Sequence, residues 1–246
     1  MGVAGLFRRP QLDADATPVD FDYAIRRSSR ARSIRITVDH GGVVVTLPER
    51  TAERHAHEFV AERAQWVERS LLKLAAEQDL VAARSLADGA VVPYLGDELT
   101  LQLLAGPSGR VHRPRGSDVL RVHVPDDSRQ TVAEALERWY RRQAKLEFAR
   151  RLDAAVERNG TSYERVTIRD QKTRWGSCST SGTISFNWRL LLAPEDVLDY
   201  VIEHEAAHIE IRDHSPRFWA LLQQRVPEWR ESRDWLRKNG GTLRLV

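Results

Sequence analysis

A chain of 246 residues with 41% hydrophobic and 30% charged side chains has the composition of a globular protein able to bury a real core. No apolar run approaches the ~20 residues that a membrane-spanning helix needs, and a lone cysteine, Cys178, excludes an intrachain disulfide and leaves the cytoplasm as the expected compartment. The net charge of +3, with an isoelectric point near 9.2, permits an anionic or nucleic-acid partner without implying one.

Residues 1–20 carry few large apolar side chains and read as a flexible leader. Its apolar patch is too short for a secretion signal, and Leu6 stands where a myristoylation motif requires Ser or Thr. From Phe21, apolar residues alternate: Tyr23, Ile25, Ile34, Ile36, Val38 and, after the turn His40–Gly42, Val43, Val45 and Leu47. This pattern predicts a small antiparallel sheet. Its first connection carries Arg26, Arg27, Arg30, Arg32 and Arg35, which could hold an anion or nucleic acid. Cationic protection of a strand edge explains them more simply. Beyond Pro48, residues 51–77 have helical spacing, with Phe59, Val60, Trp66, Val67, Leu71 and Leu74 on one face. His55 and His57 point in different directions on such a helix and are expected at the surface.

Asp88-Gly89 opens a second β-rich stretch. Val91–Gly96 and Leu99–Leu104 suggest a hairpin, Gly106–Gly109 a turn, and Val119–Val124 a further strand. His112 and His123 lack partners at metal-binding spacing. Asp127 or Ser128 can cap a helix over 130–158 that ends at Asn159-Gly160. Its expected buried face is Val132, Leu136, Trp139, Tyr140, Leu146, Phe148, Leu152 and Val156. Arginines at 138, 141, 142, 150 and 151 are interleaved with Glu134, Glu137 and Glu147, which favours a solvated face over a nucleic-acid surface. Strands Arg165–Ile168 and Thr183–Leu190 flank a turn-rich loop, 173–182, in which Cys178 reads as a small packed thiol. Pro194 with Glu195 and Asp196 starts one helix, Ser215-Pro216 a second, and Pro227 a third that Gly240-Gly241 ends. The order of elements predicts an α+β protein, divided into the leader 1–20, an N-terminal β-rich α+β region 21–126 and a C-terminal domain 127–246.

The chemistry concentrates in Tyr200–Trp219. His204 and His208, four apart on a helix, share one face within reach of a single ion. Val197, Val201, His204, His208 and Ile211 form one stripe, and Leu198, Ile202, Glu205 and Ile209 a second. Two histidines and a glutamate therefore fall on inward faces. An unpartnered buried glutamate is costly, and a metal centre accounts for all three intrusions at once. The pattern His-Glu-x-x-His makes the histidines ligands and Glu205 the general base. For a third ligand, His214 lies ten residues after His204, although Ile211 occupies the place where a related protease pattern carries a glycine. The turn then falls to Arg212-Asp213. Glu228 and Glu231, on the later helix, are the alternative ligands.

Arg174-Trp-Gly-Ser-Cys178, Ile184–Leu190, Tyr200–His208 and His214-Ser-Pro-x-Phe-Trp219 together resemble the YgjP-like metallopeptidase family, related to the SprT-like and WLM zincins. Ile25–Arg35 and Pro93–Gly96 fit as well, so the resemblance covers about residues 21–238. It implies a minimal zincin-like domain behind an N-terminal extension, with one Zn2+ held by His204, His208 and His214 and Glu205 as base. The expected activity is hydrolysis of a protein or peptide substrate that pairs in extended form with the strand around Ile184–Leu190. Arg174, Tyr200 and Asn187 are candidates for stabilising the oxyanion. Two other readings keep the metal: hydrolysis of a nucleotide or other phosphate held by the arginines at 26–35 and 138–151, and a DNA-associated module of the SprT-like kind.

Overall fold

The computed structural model describes residues 19–106, 109–171 and 173–246. Most of the expected leader, 1–18, and Pro107-Ser108 of the expected turn lie outside the described residues. The chain forms two compact units, one up to Leu80 and one over Val81–Val246.

The first unit contains β1 (Tyr23–Ser28), β2 (Arg35–Asp39), β3 (Gly42–Pro48), α1 (Arg54–Glu62) and most of α2 (Ala64–Ala82). Its sheet has the order β1-β3-β2, with β3 antiparallel to β2 but parallel to β1. The expected all-antiparallel sheet is therefore mixed. β3 buries Val43, Val45 and Leu47, and as the most apolar strand it takes the centre, where both of its backbone edges are hydrogen-bonded. The arginine-rich connection is partly structural: Arg27 donates to the carbonyls of Glu49 and Thr51 at 2.9 and 2.8 Å. The single helix expected over 51–77 is two, interrupted at Arg63, whose backbone leaves helical geometry (φ −114°, ψ 11°). The break resets the helical phase, so Val67 is buried while Trp66 is 45% exposed. His57 is not a surface residue. It lies on the face of α1 that includes Ala56 and Val60, with Nδ1 2.5 Å from the Tyr23 hydroxyl. His55 is exposed beside Glu58.

The second unit begins with a sheet of order β4-β5-β7-β6, built from β4 (Val91–Tyr94), β5 (Asp97–Ala105), β6 (Arg110–His112) and β7 (Val119–Val124). The expected hairpin is formed by β4 and β5, and its two-residue turn puts Leu95 and Gly96 at φ 53° and 88°, the left-handed geometry such turns demand. α3 (Arg129–Asn159) is capped by the Ser128 side chain, which accepts from the Thr131 N–H, and it stops at Gly160 (φ 63°). Leu146, expected inside, is 66% exposed. A second sheet, order β8-β10-β9, joins β8 (Arg165–Arg169), β9 (Gly176–Cys178) and β10 (Thr183–Asn187). β9 occupies part of the stretch expected to be loop. β10 ends three residues early because the Asn187 side chain accepts from the Arg189 N–H at 3.1 Å, opening a 3-10 turn over Trp188–Leu192. Then follow α4 (Glu195–Glu210), α5 (Pro216–Arg225) and α6 (Trp229–Asn239).

One core runs through the second unit. Val92, Leu101 and Leu120 of the first sheet join Leu136, Tyr140 and Phe148 of α3, Ile184 and Phe186 of β10, and Leu198 and Ile202 of α4. The expected division at 126/127 falls inside this shared core, and the compact units separate at Leu80 instead. The α+β class stands. Among the described residues no helix is long and apolar enough to cross a membrane.

Candidate metal centre

α4 is specified at its start by acids and in its middle by burial. Glu195 and Asp196 sit in the first turn, where the helix dipole favours negative charge. Arg151 of α3 clamps that end, 2.5 Å from both Glu195 and Asp199. Val197, Leu198, Val201 and Ile202 are buried and fix the rotation of the helix. This rotation brings His204, Glu205 and His208 to one side. The helix ends at Ile211, which is extended (φ −128°, ψ 108°). Asp213 then accepts from the Ser215 N–H at 3.0 Å, and Pro216 occupies the first turn of α5. The turn falls at Arg212-Asp213, as the spacing required, and returns His214 toward α4.

His204, His208 and His214 each offer a ring nitrogen, and these atoms lie within 4.8 Å of one another. Nε2 of His204 and Nε2 of His214 are 3.1 Å apart. Tetrahedral zinc at ordinary Zn–N distances holds two ligand nitrogens roughly 3.3 Å apart, so the His204–His214 pair matches the spacing such an ion requires. Nδ1 of His208 is 2.9 Å from the Ile211 carbonyl. A carbonyl only accepts, so Nδ1 carries the proton and Nε2 keeps a free lone pair. Phe218 stacks on His208 and Trp219 on His214, which limits ring rotation. Burial, reinforced by His208 and His214, lowers the His204 pKa to about 3, and burial lowers that of His208. Both rings are thus in the neutral, metal-binding form. Glu228 and Glu231 are not in the cluster: Glu228 lines a separate charged cleft beside Arg150 and Arg158, and Glu231 sits in the first turn of α6.

Glu205 is 6% exposed and makes no hydrogen bond among the described residues. Burial raises its pKa to about 8, against the opposing charge of Arg174. Its carboxyl lies over the backbone of Gly176 in β9. A Cβ there would come within 2.5 Å of Oε1 and 2.6 Å of Cγ, so only glycine leaves room for this glutamate. Beside Glu205 and His204 opens a cavity of about 360 Å³, whose walls include Arg174, Trp175, Tyr200, Arg233, Leu236 and Arg237. Trp175 packs against Gly240, where a Cβ would meet its ring at 2.9 Å. The Tyr200 ring is edge-on to His204 with centroids 5.7 Å apart, and burial pushes its hydroxyl up to about 12, keeping it a donor.

Of the expected oxyanion candidates, Arg174 and Tyr200 line this cavity. Asn187 does not: its amide is committed to the Gln171 carbonyl and the Arg189 N–H. Cys178 is half-buried 3.3 Å from Arg212, with burial pushing its thiol up, and stands apart from the histidine cluster. The α3 arginines are largely absorbed in ion pairs, Arg141 with Glu137 and Asp170, Arg150 with Glu147. Sequence reasoning missed the contributions of Gly176, Trp175, Arg233 and Arg237. The i, i+4 spacing of the two α6 arginines about Leu236 was the available signal.

The YgjP-like metallopeptidase domain matches residues 32–239. No curated protein matches. Among solved structures, the chain is similar to the metallopeptidase zymogen abylysin of Pyrococcus abyssi, with 26% identity and a TM-score of 0.32 over 37% of this chain and 93% of that one. It is also similar to the zymogen jannalysin of Methanocaldococcus jannaschii, with 20% identity and a TM-score of 0.31 over 35% and 93%. The histidine triad can hold a metal ion, and with a matched domain spanning most of its length the chain belongs to the YgjP-like metallopeptidase family.

Proposed function

We propose that the protein is a zinc-dependent peptidase in which His204, His208 and His214 hold one Zn2+ and Glu205 is the general base. The observation that carries this reading is the convergence of three imidazoles, together with a buried carboxylate that lies on the helix carrying two of them and shares a cavity wall with His204. Zinc bound there would supply Lewis acidity, lowering the pKa of water toward ~7 and polarising a carbonyl. Glu205 accepts the proton as water attacks the peptide carbon and returns it to the departing amine. Its carboxyl is confined between α4 and Gly176, so it approaches the reacting atoms from one direction. Tyr200 and Arg174, both on the cavity wall, are the donors available to the developing oxyanion.

The strand that receives substrate differs from the one expected from sequence. β10 is flanked on both edges by β8 and β9, so its ladder has no free side. β9 is an edge strand. The Trp175 carbonyl and the Ser179 N–H bond inward to Asn187 and Thr183. By alternation, the backbone groups of Gly176 and Cys178 point outward, beside Glu205, where an extended peptide can add as a further strand.

Activity on unfolded proteins and peptides, measured beside metal content, tests the reading. Glu205→Gln should keep stoichiometric zinc and lose turnover on the order of 10³-fold. Retention of full peptidase activity in that variant would remove the base.

A further inference from the structure

The cavity beside the histidines is electrostatically one-sided. Arg174 reaches it from the segment before β9, and Arg233 and Arg237 reach it from α6; among the described residues the only carboxylate on its walls is Glu205, which is buried. Arg233 and Arg237 are one helical turn apart, and Leu236 between them is 8% exposed, anchoring that face against the core. Arg233 is oriented by Asp234 at 3.1 Å and lies over the Trp229 ring at 5.0 Å. Asp234 offsets part of the charge, yet positive groups still exceed negative ones on this wall. Trp175, held against Gly240, and Val201 give an apolar floor beneath them. An apolar floor under a cationic rim suits a side chain with an aliphatic stem and a carboxylate tip.

We infer that this cavity is a specificity subsite for an acidic side chain, Glu or Asp, near the bond to be cut, with Arg233 and Arg237 as its carboxylate-binding groups. The inference deepens, and rests on, the reading of the centre as a peptidase. The arginine fork matches a planar carboxylate in two-point contact, which lysine at the same positions would not reproduce.

The test uses the zinc-loaded protein and paired fluorogenic peptides that differ only by Glu for Gln, together with calorimetric titration of the same peptides into Glu205→Gln protein at low and high salt. The acidic peptide is expected to show about tenfold higher kcat/KM and correspondingly tighter binding that weakens with salt. In the double variant Arg233→Gln with Arg237→Gln, the acidic-to-neutral ratio should fall to about one. Arg230→Gln on the same helix, whose guanidinium binds Gln223 outside the cavity, should keep the wild-type ratio. If the double variant fails to fold, Arg237→Gln alone, at an 81% exposed side chain, carries the measurement through a partial fall in the ratio. Peptide cleavage without charge preference, with equal binding of both peptides, overturns the subsite and leaves the peptidase reading intact. Charge-dependent binding with no peptide cleaved upholds the subsite and overturns the peptidase reading. Tighter binding of inorganic phosphate or a phosphoserine peptide than of the Glu peptide overturns the carboxylate assignment.

Discussion

Two glutamates on α4, two residues apart, are equally buried and are treated in opposite ways. Glu203 and Glu205 are each 6% exposed. Glu203 faces α3, where Arg158 binds Oε1 at 2.6 Å and Asn159 donates to Oε2 at 3.3 Å. Glu205 faces β9 and meets the backbone of a glycine. The fold can therefore satisfy a buried carboxylate on this helix, and on one side it does so. On the other side it leaves the carboxylate without a hydrogen bond among the described residues, on the wall of an open cavity that it shares with His204 and Arg174. Paired burial of this kind serves stability, while burial without a hydrogen bond on a cavity wall marks the carboxylate as a candidate for chemistry.

The sharpest way to break this comparison is to neutralise each glutamate in turn. Glu205→Gln should lose turnover about 10³-fold while its unfolding free energy stays level or rises by about 1 kcal/mol. Glu203→Gln should show the reverse, a lower melting temperature with turnover retained. Equal losses of activity from both would erase the distinction. Metal removal comes next in size. Chelated protein should regain about 2.7 kcal/mol of stability when free zinc is restored to a hundredfold above Kd, and His214→Ala should lose most of that gain in the same thermal titration. Gly176→Ala forces a methyl into the Glu205 carboxyl and should cost about 2 kcal/mol in chemical denaturation, with a fall in kcat. The smallest effect is expected at Arg158→Ala. Its side chain is 63% exposed, so removing it from Glu203 should cost only about 1 kcal/mol by denaturant titration, without touching zinc content.

What was legible in the sequence was local. The α4 histidines and Glu205 are four residues or fewer apart, so helical periodicity alone puts them together. Ser128, Gly160 and Pro216 announce their helix ends by chemistry confined to a turn. What escaped depends on chain partners far apart. The parallel pairing of β1 with β3, the burial of His57 against Tyr23 and the lodging of Glu205 over Gly176 each join segments about 20 to 34 residues apart, and no window of sequence contains both halves. β9 is three residues long and rich in small side chains, so it carries no alternation to read. The extent of the C-terminal unit was missed for the same reason. The β4–β7 strands look like a module of their own until Leu101, Tyr140 and Ile184 are seen to share one interior.

The bond between His208 and the Ile211 carbonyl has one further consequence. Metal-binding histidines are commonly oriented by a neighbouring carboxylate side chain, which a single substitution can delete. Here the acceptor is a main-chain oxygen at the C-cap of the same helix, and every amino acid supplies one. Position 211 can therefore drift in sequence while the tautomer of His208 stays fixed. Only a change that prolongs the helix past that point, or a proline that redirects it, would release the ring. Mutational robustness at this site is a property of where α4 stops, and the residue found there is incidental to it.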